Sequence, residues 1–285
     1  TMLLLTTNHQ SLIATKTSRI VKEAQGRPVM EFGARRAHGI NAAVEGARAA
    51  IIGGAIGTSC TLSAKEFNVP ASGTMAHSWV QSFDSEYEAF KTYAEIYPDD
   101  CTLLIDTYNT IESGLPNAIK VFNEVLKPKG YKPKAVRLDS GDLAYLSKKV
   151  RKILDEAGYT ECKICATNSL DEYLIKSLIE QDAKIDSFGV GENLITAKSE
   201  PVFGGVYKLV GIEKDTKIIP KIKVSENVVK VTNPGFKKVY RFYDNESQKA
   251  IADVIALSDE IIDEREYMIF DPQNPWKKKL IKDYT

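Results

Sequence analysis

Residues 134–157 read KAVRLDSGDLAYLSKKVRKILDEA, and the fold prediction starts from the alternation within this stretch. The short apolar run Lys134–Leu138 is typical of a buried strand, and the polar segment Asp139–Asp142 ends it. From Leu143 to Ala157 the apolar residues recur with the period of a helix. A strand followed directly by an amphipathic helix is the unit from which parallel α/β folds are built.

The same unit recurs through the first 200 residues. Further strand candidates are Val29–Gly33, Ala55–Ser59, Val69–Thr74, Thr102–Asp106, Lys163–Thr167 and Asp186–Val190. The other helical patterns are Asn8–Ala24, Gly39–Ile52, Ser78–Tyr97, Asn117–Leu126 and Leu170–Gln181. About seven repeats favour a closed (β/α) barrel over an open sheet. We expect an irregular barrel, because the second and third strand candidates lie close together and the first helix has no strand before it.

The pattern changes after Pro201, where turn signals replace helical periods. The strand candidates there are Gly205–Ile212, Lys217–Val224, Val228–Thr232, Lys237–Tyr243 and Ala250–Leu257. The sequence thus predicts a barrel domain over residues 1–200 and a second, mainly β domain over residues 201–285. We expect an eighth barrel strand before residue 1, and partner segments for the β region outside this sequence.

Composition and charge exclude several classes of protein. Lys and Arg number 38, as do Asp and Glu, so the basic excess of a general nucleic-acid binder is absent. No apolar run is long enough for a transmembrane helix, and the first residues lack the pattern of a signal peptide. A cytoplasmic, soluble, globular protein without nucleic-acid or membrane partners is the resulting expectation.

The sequence has 4 cysteines, and Cys162 and Cys165 form a CxxC pair. No second CxxC completes a zinc site, and three-residue spacing along a strand places the two thiols on opposite faces. We therefore predict structural cysteines and no metal site.

Functional residues of a (β/α) barrel lie where its strands end and lead into helices. The segments at those positions are Gly33–Arg36, Thr58–Ser59, Gly73–Ser78, Asp106–Tyr108, Arg137–Asp142, Thr167–Ser169 and Phe188–Asn193. Arginine side chains and free backbone N–H groups hold phosphates, and paired aspartates suit ribose hydroxyls or magnesium. Together these segments predict a site for a phosphorylated sugar.

Each segment alone has a simpler interpretation. Gly189 and Gly191 lack the third glycine of a dinucleotide fingerprint, and short Gly-x-Gly turns are common. Asp139–Asp142 could cap the helix that follows it. His77 could equally cap or pack against a helix start. Arg35 and Arg36 are harder to explain in this way, because two adjacent cations after an apolar strand point to different sides.

Several segments in register resemble the nicotinate phosphoribosyltransferase family. They are EFGARR at 31–36, GTMAHS at 73–78, LIDTY at 104–108, VRLDSGDL at 136–143 and FGGVYKL at 203–209. The resemblance implies an irregular barrel of the type II phosphoribosyltransferase kind. It also implies an ATP-assisted, ligase-class reaction in NAD salvage. Nicotinate and 5-phosphoribosyl 1-pyrophosphate would give nicotinate mononucleotide and pyrophosphate. ATP would be hydrolysed and Mg²⁺ carried on the pyrophosphate, in a homodimer with its active site near the subunit interface.

The resemblance also implies roles for individual residues. His77 would be phosphorylated by ATP, with Asp106 holding its ring and Asp139 completing the catalytic group. The substrate-binding residues would be Phe32 (stacking on the pyridine ring), Arg35 (pyrophosphate), Ser59, Thr74 and Arg137 (nicotinate or pyrophosphate) and Asn168 (with Asp139, the ribose hydroxyls). The 5′-phosphate would be held by Gly189, Gly191, Gly204 and Gly205.

The sequence departs from the family in two respects. Glu192 stands where several members carry a phosphate-binding Thr, so phosphate binding there would have to use the backbone. Members are also longer and begin with a segment whose Tyr reaches the pyridine site of the neighbouring subunit. We therefore expect this sequence to lack both ends of the complete protein.

Two rival interpretations remain at this stage. One is a barrel phosphoribosyltransferase that uses nicotinamide or quinolinate, and the other is a non-catalytic relative. Relatives that use nicotinamide carry an acidic residue at the position of Ser59, where a carboxylate would repel nicotinate. Ser59 thus favours nicotinate.

Overall fold

The computed structural model describes residues 1–227, 230–262, 265–271, 274–282 and 284–285. The chain divides into two compact units, Thr1–Gly205 and Val206–Thr285. Each unit is described separately.

The first unit alternates helices with the strands of a parallel sheet. Its helices are α1 (Met2–Glu23), α2 (Ile40–Ile52), α3 (Thr61–Phe67), α4 (His77–Gln81), α5 (Glu86–Ile96), α6 (Leu115–Val121), α7 (Leu143–Glu156), α8 (Glu172–Glu180) and α9 (Glu192–Ile195). Its strands are β1 (Val29–Glu31), β2 (Gly57–Thr58), β3 (Thr102–Leu104), β4 (Ala135–Leu138), β5 (Lys163–Ala166) and β6 (Ser187–Val190). The strand order is β2-β1-β6-β5-β4-β3, a six-stranded parallel half-barrel.

The sheet is open, as expected for an irregular barrel from which a strand is missing. No described residue pairs β2 with β3, and these two strands form the edges of the sheet. The predicted strand Val69–Thr74 contributes one isolated bridge, between Ala71 and Thr58. Pro70 explains part of this difference, because proline has no N–H to donate to a neighbouring strand.

Helix caps account for several observed boundaries. The predicted helix Ser78–Tyr97 is divided into α4 and α5, and the Ser85 hydroxyl accepts from the Glu88 N–H at 3.2 Å to start α5. Asp142 caps α7 by accepting from the Tyr145 N–H at 3.0 Å. Asp142 is therefore the capping residue of its loop, and Asp139 remains available for other contacts.

The segment before α6 packs closely against the end of β3. Thr110–Gly114 and Phe122–Leu126 form π-helical turns on either side of α6, where Asn117–Leu126 was predicted as one helix. A Cβ on Gly114 would lie 1.8 Å from the carbonyl oxygen of Ile105. Only glycine allows this approach. The contact supports the backbone directly before Asp106.

The core of the first unit lies between the sheet and its helices. Every residue of β3 is buried, as expected for a strand of a parallel sheet covered on both faces. Large side chains that are completely buried include Phe90, Phe122, Phe188, Leu103 and Leu138. This packing holds the strand ends, and with them the candidate site, on a rigid support.

The second unit consists of antiparallel pairs. The strands are β7 (Gly211–Lys214), β8 (Lys217–Pro220), β9 (Lys237–Tyr243), β10 (Ala250–Leu257), β11 (Glu266–Asp271) and β12 (Asn274–Lys282). They pair as β7–β8, β9–β10 and β11–β12. The sequence did not predict β11 and β12. The predicted strand Val228–Thr232 begins on residues outside the described part, and Lys230–Thr232 are not in a strand.

Candidate active site

The carboxyl ends of the parallel strands bring separate segments of the chain to one edge of the sheet. Asp106 follows β3, Asp139 follows β4 and Thr167 follows β5. His77 begins α4, which follows the irregular segment after α3. This edge is where ligands bind in parallel α/β folds.

His77 lies among oxygen atoms contributed by two strand ends. Its Nδ1 is 3.0 Å from the Thr107 hydroxyl oxygen, and its Nε2 is 3.3 Å from Oδ2 of Asp139. The same Nε2 is 3.9 Å from Oδ1 of Asp106. The His77 side chain keeps 38% of its surface exposed, so the ring is held in place yet accessible.

Asp106 connects two strand ends from a buried position. Its side chain is 1% exposed. Oδ2 accepts the backbone N–H of Asp139 at 2.8 Å and the Ser140 hydroxyl at 2.5 Å. Oδ1 is buried and has no hydrogen-bond partner among the described residues, and it faces the His77 ring. Asp106 can therefore position both Asp139 and His77.

Arg137 organises the centre of the site with several of its five N–H groups. Nε donates to the Thr167 hydroxyl at 2.9 Å, and Nη1 donates to the Thr74 hydroxyl at 2.7 Å and to the Met75 carbonyl at 3.3 Å. Nη2 donates to Asp139 Oδ1 at 3.0 Å. One Nη2 N–H has no partner among the described residues, so the guanidinium retains a donor for a ligand.

Asp139 is held as a carboxylate. Burial by itself would raise the pKa of Asp139, but the hydrogen bond from Thr167 and the charge of Arg137 outweigh burial and lower that pKa below its usual range. Smaller contributions in the same direction come from the hydrogen bonds of Arg137 and His77. Asp139 is thus negatively charged at neutral pH.

A cleft of about 190 Å³ opens beside Arg137 and Asp139. Phe32 lines it, and the Arg137 guanidinium carbon lies 5.9 Å from the Phe32 ring centroid. A Cβ on Gly189 would lie 2.5 Å from the Phe32 ring and 2.7 Å from Thr167. Gly189 therefore leaves room for the Phe32 ring at this position, and an aromatic side chain beside a cation suits a flat anionic ring.

The mouth of the cleft carries arginines and one acidic residue. Arg35 and Arg36 are exposed there, and Glu192 lies at the start of α9. Arg36 Nε is 3.8 Å from Oε2 of Glu192, and Lys198 Nζ is 3.5 Å from Oε1. The Glu192 carboxylate therefore lies close to two cations, and an anionic ligand would compete with it for Arg36.

Most of the predicted site residues come together at this edge. Those lining the cleft are Phe32, Arg35, Arg137, Asp139, Asn168, Gly189 and Gly191. His77, Asp106 and Thr74 adjoin it through the hydrogen bonds given above. The assigned roles of all these residues remain predictions.

Three predicted residues are placed elsewhere. Ser59 is exposed after β2 and does not line the cleft. Gly204 lines a different cavity of the first unit, beside Lys16 and Arg19 of α1. Gly205, like Gly204, is absent from the lining of the Phe32 cleft. A phosphate role for the two glycines gains no support from this geometry.

Sequence reasoning did not select Thr107 and Thr167, although both lie in the strand-end segments it identified. Thr167 donates to Asp139 Oδ1 and accepts from Arg137, and Thr107 contacts His77. A hydroxyl within the segment that follows a strand was the available signal. Threonine is also common inside strands, so that signal is weak.

The cysteines and carboxylates offer no metal site among the described residues. Cys60, Cys101, Cys162 and Cys165 are buried free thiols. Burial raises the pKa of Cys101 and of Cys162 to about 12, so both are protonated at neutral pH. In the described residues, no helix has the length and apolar character needed to cross a membrane.

Comparison with protein-family models gives two matches. Residues 28–247 match the nicotinate phosphoribosyltransferase (NAPRTase) family, and residues 236–285 match the nicotinate phosphoribosyltransferase C-terminal domain. The first match contains every strand of the half-barrel and all the residues that line the cleft.

Curated relatives carry the same name. Nicotinate phosphoribosyltransferase of Bacillus subtilis (strain 168) is 49% identical over 285 residues, which cover 100% of this chain and 58% of the relative. The Caenorhabditis elegans protein of that name is 34% identical over 310 residues, covering 89% of this chain and 54% of the relative. The chain thus spans little more than half the length of these relatives.

Solved structures confirm the predicted fold class. Human nicotinic acid phosphoribosyltransferase superposes with a TM-score of 0.82 at 24% identity, covering 99% of this chain and 62% of that one. Nicotinate-nucleotide pyrophosphorylase from Pyrococcus furiosus gives a TM-score of 0.68 at 27% identity, covering 97% of this chain and 64% of that chain. Together with the family-model match over residues 28–247, these similarities show that the chain belongs to the nicotinate phosphoribosyltransferase family.

Proposed function

We propose that the protein containing this chain joins nicotinate to the phosphoribosyl group of 5-phosphoribosyl 1-pyrophosphate, forming nicotinate mononucleotide and pyrophosphate for NAD salvage. Family membership and 49% identity to the Bacillus subtilis enzyme support this assignment. We further propose ATP assistance, a homodimeric assembly and a cytoplasmic location as parts of the same function.

The observation that carries the proposal is the arrangement around Arg137. The Arg137 guanidinium contacts Asp139, Thr74 and Thr167 and lies beside the Phe32 ring, and Arg137 lines the cleft with one N–H not used by the described residues. A flat ring that bears a carboxylate matches a cleft with an aromatic wall and a guanidinium. Guanidinium groups hold carboxylates with paired hydrogen bonds, which fix orientation as well as charge.

The cleft also suits the sugar substrate. Asp139 is ionised and can accept hydrogen bonds from ribose hydroxyls, with Asn168 beside it. Arg35 and Arg36 at the mouth supply positive charge for the pyrophosphate. The backbone at Gly189 and Gly191, which lines the cleft, would receive the 5′-phosphate. Mg²⁺ enters with the pyrophosphate, as part of the substrate.

His77 is the group that we assign to ATP. A neutral imidazole is a competent nucleophile near neutral pH. A carboxylate that is hydrogen-bonded to one ring nitrogen makes the other nitrogen more nucleophilic. The ring nitrogen would attack the γ-phosphorus, forming an N–P bond while the bond to ADP breaks. Glycosidic bond formation then releases pyrophosphate, and water hydrolyses the phosphohistidine. Asp106 and Asp139 hold the ring during these steps.

The function can be tested by comparing three pyridine substrates, in separate reactions, with the full-length protein. Nicotinate, nicotinamide and quinolinate would each be supplied with 5-phosphoribosyl 1-pyrophosphate, with and without ATP, and the mononucleotide product measured by mass. We expect product from nicotinate and faster turnover with ATP. Preference for nicotinamide or quinolinate, or no product from any of the three, would refute the proposal.

A further inference from the structure

Glu31 is a completely buried acid at the end of β1, and none of the roles proposed above uses it. It directly precedes Phe32, the aromatic wall of the cleft. Charged residues are rarely buried unless partners satisfy them. An apolar side chain would serve a purely packing role at this position, so the contacts of the carboxyl group indicate what it does.

The contacts of Glu31 join the ends of two neighbouring strands. Oε1 accepts the backbone N–H of Gly33, in the turn after β1. Oε2 accepts the Thr58 hydroxyl at 2.5 Å, at the end of β2. The Thr58 hydroxyl in turn accepts the Cys60 N–H at 2.9 Å. Both carboxyl oxygens therefore have partners, one on each strand end.

The two turns connected in this way carry the residues assigned to the pyridine ring. Phe32 lies between Glu31 and Gly33, and its backbone N–H donates to the Val190 carbonyl at 2.8 Å. The Ser59 N–H donates to the Glu31 carbonyl oxygen at 2.9 Å. The side-chain bonds of Glu31 to Gly33 and Thr58 and these backbone bonds together fix the separation of Phe32 from Ser59.

We propose that Glu31 is a positioning residue that fixes the turn bearing Phe32 against the turn bearing Ser59, and so sets the affinity of the pyridine substrate. The inference rests on the proposed function for the identity of that substrate. We name the connection from Gly33 through Glu31 to Thr58 the carboxyl clamp.

Two substitutions at Glu31 separate the geometry of the side chain from its charge. Burial raises the pKa of Glu31, and the hydrogen bonds from Thr58 and Gly33 oppose this effect without cancelling it. Glutamine keeps the shape of the Glu31 side chain without a charge. Its carbonyl can accept the Gly33 N–H while its NH₂ donates to the Thr58 oxygen. Leucine fills a similar volume but leaves both Gly33 and Thr58 without their partner.

The first test compares Glu31→Gln and Glu31→Leu with wild type in the full-length protein. We expect Glu31→Leu to raise KM for nicotinate about tenfold or more, because two buried donors lose their acceptor and the turns shift. The labelling of His77 by ATP should stay within about twofold, because ATP is not assigned to these turns. Glu31→Gln should restore KM for nicotinate to near the wild-type value. Thr58→Val, which removes the opposite end of the carboxyl clamp, should behave like Glu31→Leu.

A second measurement does not depend on catalysis. Amide hydrogen exchange over residues 32–36 and 58–61 should accelerate in Glu31→Leu and remain slow in Glu31→Gln. The exchange rate in β5 should be the same in both variants as in wild type. Equal exchange in the three proteins, or equal effects of Gln and Leu on KM, would overturn the carboxyl clamp. A wild-type protein that does not act on nicotinate but retains this exchange contrast would overturn the proposed function and leave the carboxyl clamp standing.

Discussion

Arg137 and Asp139 form an ion pair at the end of β4, with Nη2 of the arginine 3.0 Å from Oδ1 of the aspartate. Alternate residues of a strand point to the same side of the sheet, so a spacing of two brings both side chains to one face. Thr167, directly after β5, contacts both members. The pair thus provides a fixed charge arrangement beside the cleft before any substrate arrives.

Replacing Arg137 with lysine should cost far more than an exchange of like charges suggests. Lysine cannot reach Thr74, Thr167 and Asp139 at once, because its charge lies on a single nitrogen. We expect kcat/KM to fall by the equivalent of about 1.5–3 kcal/mol, the range for hydrogen bonds to charged groups. Steady-state kinetics for both substrates would measure the loss. Arg19→Lys, at an exposed ion pair, is the control, and equal kinetics in the two variants would show that Arg137 has no special role.

Asp139→Asn should change stability in a pH-dependent way. The folded-state pKa of Asp139 is lowered, so the ionised carboxylate stabilises the fold above its unfolded pKa of about 4. That contribution is lost as pH falls through the lowered folded pKa. We expect the variant to lose about 1–3 kcal/mol of unfolding free energy at neutral pH, and the difference to shrink below about pH 4. Urea unfolding at several pH values would measure it, with the exposed Asp84→Asn as control. A difference that does not vary with pH would contradict the assigned charge.

His77→Ala should abolish the stimulation by ATP and leave slow transfer without ATP. The imidazole, and no neighbouring residue, is the assigned acceptor of the phosphoryl group. Incubation with γ-labelled ATP should place acid-labile label on wild type and on His38→Ala, and none on His77→Ala. Label that survives acid, or that persists in His77→Ala, would assign the phosphoryl group to another side chain.

Ser59→Asp tests specificity at the end of β2. A carboxylate there would repel nicotinate and not the neutral amide, so we expect nicotinate to be weakened more than nicotinamide. Inhibition or binding constants for the two ligands would give the ratio directly. Ser59 does not line the cleft in this structure, so equal losses for both ligands would place it outside the pyridine site.

Gly189→Ala should close part of the cleft. The added methyl group would lie 2.5 Å from the Phe32 ring and 2.7 Å from Thr167, so the Phe32 side chain must move. We expect KM for nicotinate to rise about tenfold or more, the cost of a misplaced contact in a substrate pocket. Gly73→Ala is a matched control, because a Cβ there meets no atom within 4 Å. Similar kinetics of wild type and Gly189→Ala would show that the pyridine ring of nicotinate does not bind beside Phe32.

The periodic patterns of the sequence predicted the barrel strands that carry the site. Lys134–Leu138 and Leu143–Ala157 agree with β4 and α7 to within a residue at each end. Val69–Thr74 was also predicted as a strand but forms one isolated bridge. A local pattern reports propensity, whereas a strand also needs a neighbour with free hydrogen-bonding groups in register.

The sequence by itself determined which segments end at the functional edge, because a strand followed by a helix fixes the position of the loop between them. It therefore identified Asp106, Arg137 and Asp139 as neighbours. Tertiary structure alone decided the contacts among them, including the threonine between Arg137 and Asp139 and the carboxyl clamp at Glu31. These contacts join residues that are distant along the chain, and only the packing of one strand against the next sets their distances.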